Sequence, residues 1–308
     1  MSTVPSSIST RPRGGTVPSL RTPSGSARTK DVAFRLAMFA CLAASGLVLG
    51  LLMFDVLRDG LPKLNSQLVS NFPSSQSSRA GLQPAMFGTL WIIGVCLVFI
   101  VPVGVASAVY LEEYSDNSKW WNRLIEVNIQ NLAAVPSIVY GILGLAFLVR
   151  GPLSLGRVVL AGGLTLGLLV LPVVIISGRE AVRAVPPSNR EGSMALGATK
   201  WQTIWKLILP ASIPGVATGV ILALSRAIGE TAPLIVVGAA TFITFNPNGI
   251  VGDGAGFSAL PIQIFSWISQ PQDEFKQLAA AGIVLLLGIL IVMNGVAIYL
   301  RNRYENKW

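Results

Sequence analysis

The chain has 308 residues, 52% of them hydrophobic and only 12% charged, with a mean hydropathy of +0.64. Soluble domains carry about 25% charged residues, so this balance excludes an ordinary soluble enzyme and points to the membrane. No histidine is present, and Cys41 and Cys96 both lie in apolar runs, which removes the usual general base and metal ligand and leaves both thiols as small hydrophobic residues.

Residues 1–30 are rich in Ser, Thr, Pro, Gly and Arg and lack apolar periodicity. That composition predicts a disordered tail. It is not read as a signal peptide, because the first apolar run starts too late, is too long and has no clear small-residue cleavage site. Its basic residues could touch anionic lipid; a solvated cytoplasmic tail is the simpler expectation.

Six apolar stretches follow, near 32–57, 85–110, 132–149, 158–177, 215–240 and 278–300. Each has about 18 residues or more, enough for a helix to cross a hydrocarbon core of about 30 Å. The expected fold is therefore an all-α membrane protein with six transmembrane helices over residues 31–308. The third stretch is the shortest and contains Pro136, so an irregular or broken start is expected, which is tolerated where protein or a water cavity covers the backbone.

Placing both termini in the cytoplasm puts 16 of the 23 Lys and Arg residues on the inner side and 6 outside, with Arg226 within a span. This is a positive-inside pattern, and it accounts for the net charge of +9 by topology rather than by nucleic-acid binding. The stretch 112–131, with Trp120-Trp121, reads as an interfacial elbow without chemistry. In the outer loop 241–277, the segment LPIQIFSWI is expected either as an interfacial or re-entrant helix with Trp267 at the headgroups, or as a loop helix packed on the bundle.

The polar stretch 188–210, SNREGSMALGATKWQTIWKLILP, stands out between apolar segments. Ser188 and Glu191 have the spacing of a capping box, as do Thr199 and Gln202. Gly197 between them supplies a helix stop. Trp201, Ile204, Trp205 and Ile208 follow at i, i+3, i+4 and i+7, one helical face, and Pro210 is expected to end the segment. The prediction is a cytoplasmic helix–turn–helix, within a loop over 179–213, on which a soluble partner docks.

Arg226 and Glu230 are the intramembrane charges. A charged side chain at the bilayer centre costs roughly 2.5–3.5 kcal/mol on insertion scales, so the two need a reason to be there. Their i, i+4 spacing puts them on one face and lets them pair, expected near the middle of the fifth span. They are read either as an ion pair that locks helix packing or, the favoured reading, as part of an anion path with Ser225 and Thr231. Ser137 and Tyr140, beside Pro136 at the start of the third span, offer hydroxyls to the same path or serve packing. Gly162, Gly163 and Gly167 read as close-packing positions between helices.

No catalytic or metal site is expected. A phosphate-cradling loop needs G-x-x-x-x-G-K-[ST] after a strand, and the nearest echo, Gly197-Ala198-Thr199-Lys200, lacks it. Any use of ATP must come from another polypeptide.

The 188–210 stretch resembles the "EAA" loop of ABC importer permeases, which reads E-A-A, three residues, G, nine residues, then an apolar residue, x, L-P. Glu191, Gly192, Ser193, Leu196, Gly197, Ala198, Thr199, Trp201, Leu209 and Pro210 lie on that pattern, with Gly192-Ser193 in place of two alanines. REAVRAVPPSNREGSMALGATKWQTIW, NLAAVPSIVYGILGL and ALSRAIGETAPLIVVGAA resemble PstA-type permease subunits of bacterial phosphate ABC importers, from about residue 31 onward. The resemblance implies a type I importer permease fold in a bacterial plasma membrane and transport of phosphate. It implies a PstC-type second permease, two PstB-type ATP-binding subunits that hold ATP-Mg, and an external PstS-type binding protein, with no cofactor in this chain. A sulfate or molybdate permease and a secondary transporter are the alternatives. The latter predicts inverted repeats and several interior charges, and no convincing repeat is found.

Overall fold

The structure is a computed structural model and describes residues 25–116, 118–252 and 255–304. The regular structure of those residues is entirely helical. The chain divides into two compact units, Met1–Phe54 and Asp55–Trp308. The first holds most of α1 (Gly25–Gly60). This helix starts earlier than the apolar run, so residues 25–30 are helical where a disordered tail was expected. Residues 1–24 lie outside the described residues.

In the second unit, α2 (Ser66–Ser70) begins where Asn65 Oδ1 accepts a hydrogen bond from Leu68 N at 2.9 Å, a side-chain cap of a free N–H. α3 (Gln83–Val109) runs on through a π turn, Tyr110–Tyr114. α4 (Trp120–Ala133) and α5 (Ser137–Leu143, continued by a π turn Gly144–Val149) are bent by 108° at the intervening break. The expected span 132–149 thus begins as a broken helix, as Pro136 implied. Pro136 has no N–H to continue α4 and takes the N-cap position of α5 at ψ 137°. α6 (Val159–Arg183) follows. Among the described residues, five helices are long and apolar enough to cross a membrane, six if the bent pair is one span.

α3, α6 and the later α9 enclose the main core, which contains Ile92, Cys96, Ile100, Leu166, Val170, Val174, Ala223 and Ala227. Two of the predicted glycines seat α3 on α6: a Cβ on Gly163 or Gly167 would come within 2.6 Å of Val95 or Phe99, whereas one on Gly162 would meet the Phe257 ring of the loop before Leu260 at 2.7 Å. Small residues let helix backbones approach closely where lipid offers no hydrophobic drive.

α7 (Pro187–Ala195) and α8 (Lys200–Thr203) form the predicted helix–turn–helix. Pro210 does not end it. A π turn, Ile204–Ile208, joins α8 directly to α9 (Leu209–Gly229). A proline within a helix removes one backbone hydrogen bond, and a π turn re-registers the ladder next to it. The expected fifth span 215–240 is corrected at its other end. The helix stops at Gly229, Glu230 is extended (φ −79°, ψ 123°), and a separate short helix, α10 (Ala232–Val237), follows. Pro233 explains the break: it has no N–H for the Gly229 carbonyl four residues back, and its ring would clash with that carbonyl in a continuous helix, whereas proline is accepted in a helix's first turn.

α11 (Leu260–Ile268) packs on α12 (Asp273–Tyr304). Trp267 is 2% exposed and lies against Phe275, with ring centroids 6.4 Å apart. It is a core residue, not a headgroup anchor. The buried Gln263 explains its orientation: with the amide turned to satisfy both neighbours, it donates to the Thr241 carbonyl at 2.9 Å and accepts from Trp267 Nε1 at 3.1 Å.

Candidate functional site

The exposed helix–turn–helix is built from two unequal halves. α7 starts on Pro186 and Pro187, with no side-chain cap. The Ser188–Glu191 capping box is therefore not formed: the two prolines start the helix earlier and place Ser188 inside its first turn. The second box is present. Thr199 Oγ1 accepts from Gln202 N at 3.3 Å, and Gln202 Oε1 accepts from Thr199 N at 2.9 Å.

Between the halves, Gly197 has φ +86°. Gly197 N donates to Met194 O at 2.9 Å, and Ala198 N donates to Ser193 O at 3.2 Å. This is a Schellman ending, in which the left-handed residue is normally glycine. The turn presents Leu196, which is 91% exposed. Glu191 and Gly192 are exposed beside it, and a Cβ on Gly192 would meet nothing within 4 Å.

The predicted apolar face of 201–208 divides. Ile204 and Ile208 are buried against Val182 and Val185, with Val109 and Ala211 at the margin. Trp201 and Trp205 are exposed, with centroids 5.3 Å apart. Together with Leu209, Tyr110 and Tyr114 they line an apolar groove of about 500 Å³. Pro210 is exposed on the continuous helix.

The structure adds residues that sequence reasoning set aside. Glu112 and Glu113, on the π turn after α3, receive basic side chains from α6 and α7. Arg183 Nε and Nη2 donate to the two oxygens of Glu112, each at 2.9 Å, a bidentate pairing. Arg179 Nη1 donates to Glu126 Oε1 at 2.9 Å, and its Nε stands 3.6 Å from Glu112. Arg190 Nε donates to Glu113 Oε1 at 3.0 Å. Lys200 Nζ donates to the Glu113 carbonyl and sits 5.0 Å from the Tyr114 ring centroid. The available signal was an adjacent Glu-Glu facing a basic run, but its partners lie 71 and 77 residues away.

The second predicted group lies at the break between α9 and α10. Arg226 and Glu230 are not in the middle of a continuous span. Arg226 is in the last turn of α9, where a cation complements the helix dipole, and Glu230 is the extended residue after it. Arg226 Nε donates to Glu230 Oε1 at 3.3 Å, and the side chains are 44% and 20% exposed. The pair is formed but not enclosed by this chain.

α5 packs on α10 at this point. A Cβ on Gly141 would lie 2.7 Å from Pro233 Cα. Tyr140 is buried, and its hydroxyl donates to Leu132 O at 2.8 Å. Ser137 and Thr231 are half-buried on the same two short helices and their connection. Ser225 is engaged elsewhere: its hydroxyl meets Ile221 O at 2.8 Å and Asn294 Oδ1 on α12 at 2.9 Å. Asn294, a polar residue in an apolar run, was missed. Among the described residues no cluster of metal-ligating side chains is found.

Residues 100–306 match the family described as "Binding-protein-dependent transport system inner membrane component". The chain belongs to this family. It is 35% identical over 214 residues to "Phosphate transport system permease protein PstA 1" of Mycobacterium tuberculosis (strain CDC 1551 / Oshkosh), covering 69% of this chain and 68% of that protein. It is 28% identical over 257 residues to the Haemophilus influenzae "Phosphate transport system permease protein PstA", covering 83% and 87%. Its fold is that of a chain in a bacterial alginate ABC transporter, with a TM-score of 0.63 at 17% identity over 90% of this chain and 98% of that one. A chain of the MetNI methionine ABC transporter superposes with a TM-score of 0.56 at 16% identity over 72% and 95%. The fold is thus that of an all-helical ABC importer permease.

Proposed function

We propose that this chain is a non-catalytic permease subunit of an ATP-driven importer of inorganic phosphate in a bacterial plasma membrane. It forms the translocation path with a second, PstC-type permease. Two PstB-type subunits bind ATP-Mg and receive the unit formed by α7 and α8, and an external PstS-type protein delivers the anion. The observation that carries the coupling role is the Schellman-closed turn that holds Leu196 almost fully exposed between two short helices. ATP-driven closure moves this unit, and the helices behind it convert the movement into alternating access. Phosphate, rather than sulfate or molybdate, is supported by relatives whose names state phosphate transport.

The anion path includes the break after Gly229. An arginine that is 44% exposed beside a carboxylate can exchange that partner for a passing anion of about −1.5 to −2 charge. The carboxylate then takes the arginine back and favours release. Tyr140, Ser137 and Thr231 flank this point. Ser225 contributes by fixing the last turns of α9 against Asn294.

The test is ATP-dependent phosphate uptake by the complete complex in vesicles, with Arg226→Gln compared to wild type and assembly checked by co-purification. Arg226→Gln is expected to abolish uptake while the complex persists. Normal uptake in that variant removes Arg226 from the path. Uptake of sulfate or molybdate in place of phosphate by the wild-type complex refutes the assigned substrate.

A further inference from the structure

α7 carries much of the exposed surface of the coupling unit, yet none of its residues is buried. A nine-residue helix is not held by its own propensity, so its position depends on polar ties. One is the Ser193 hydroxyl, 3.0 Å from that of Thr203, which joins α7 to α8. The other is Arg190. Its Nη2 donates to Val182 O at 2.8 Å in the last turn of α6, and its Nη1 to Val185 O at 3.0 Å just after it. Its Nε donates to Glu113 at the end of α3. The Arg190 and Glu113 side chains are only 20% and 9% exposed. One guanidinium therefore fastens α7 to two membrane helices.

The two halves of the unit differ in how force can leave them. α8 continues through its π turn into α9, so a push on it travels along a helix. α7 is separated from α6 by the non-helical link 184–186. Arg190 spans that bend, and Glu113 holds Arg190.

We propose that Glu113 and Arg190 are a positioning pair that transmits displacement of α7 to α3 and α6. This deepens, and rests on, the reading of the chain as an ATP-driven permease. Glu112 does not share the role, because its partners Arg179 and Arg183 both belong to α6.

The experiment measures phosphate uptake and ATP hydrolysis on the same vesicles, using the complete complex with Glu113→Gln, Arg190→Gln or both. Each single variant is expected to lower phosphate moved per ATP hydrolysed by about tenfold, the factor that corresponds to about 1.4 kcal/mol. The double variant is expected to go no lower, since residues that act as a pair are non-additive. A purely structural role would lower uptake, ATP turnover and complex yield together and leave their ratio unchanged. An unchanged ratio in the singles, or a double effect equal to the product of the singles, overturns the proposal.

A second measurement does not depend on those variants assembling. Amide hydrogen exchange is followed in the complete complex with Glu113→Asp, which keeps the charge and shortens the reach. Faster exchange confined to 187–196, with 209–229 unchanged, supports the pair; unchanged exchange of 187–196 overturns it. A wild-type complex that hydrolyses ATP but moves no phosphate refutes the phosphate reading, and the exchange of α7 still decides the pair.

Discussion

Gly141→Ala is the sharpest test of the packing beneath the proposed anion path. The added Cβ would stand 2.7 Å from Pro233 Cα, 3.0 Å from Pro233 O and 3.0 Å from Val236 Cβ. Two of these atoms are backbone atoms of the ring-locked Pro233 and the third is a Cβ, so no side-chain rotation relieves the contact. Ordinary carbon–carbon contact needs about 3.5–4.0 Å, so α10 must move from α5 by about 1 Å. Overpacking of this kind costs about 1–3 kcal/mol. For a chain of this size that lowers the melting temperature by about 2–5 °C. Cys96, which is 0% exposed, provides the readout. In a Cys41→Ser background with partner thiols removed, a maleimide fluorophore reports thermal exposure of the core. Gly94→Ala is the control, because its Cβ would meet nothing within 4 Å. It should hold or raise stability, since alanine is favoured over glycine within a helix by roughly 0.5–1 kcal/mol. The same α10 shift should slow phosphate uptake. If Gly141→Ala melts with Gly94→Ala and transports normally, the α5–α10 contact is not as tight as described.

Two further outcomes follow from the geometry. Gly197→Ala introduces no clash, so its cost is the left-handed backbone alone, about 1–2 kcal/mol. Gly197→Asn should cost less, and amide exchange of 187–196 should rank glycine slowest, then asparagine, then alanine; equal rates would mean the Schellman turn does not stabilise α7. Gln263→Leu removes the partners of Thr241 O and Trp267 Nε1 and leaves a buried N–H unsatisfied, at a cost of about 1–3 kcal/mol. The same thiol assay should register an earlier melt, and an unshifted melt would place a different partner on Trp267.

The sequence by itself determined the features that depend on composition and local spacing. Apolar runs of spanning length located the helices because the bilayer sets a minimum length. Gly197 and the Thr199–Gln202 box were legible because a left-handed stop and a reciprocal cap are satisfied within six and four consecutive residues. Local reading failed where a neighbour altered the local rule. Pro186 and Pro187 started α7 ahead of Ser188, a π turn carried the chain past Pro210, and Pro233 broke the fifth span beside Glu230. Tertiary structure alone decided the pairings across the chain. Glu113 meets Arg190 over 77 residues and Arg183 meets Glu112 over 71, and Trp267 is buried against Phe275 of the next helix. Periodicity reports which face of a helix is apolar; it does not report which distant element that face will meet. The charges that fasten α7 to α3 and α6 are therefore a property of the fold, although every one of them is written in the chain.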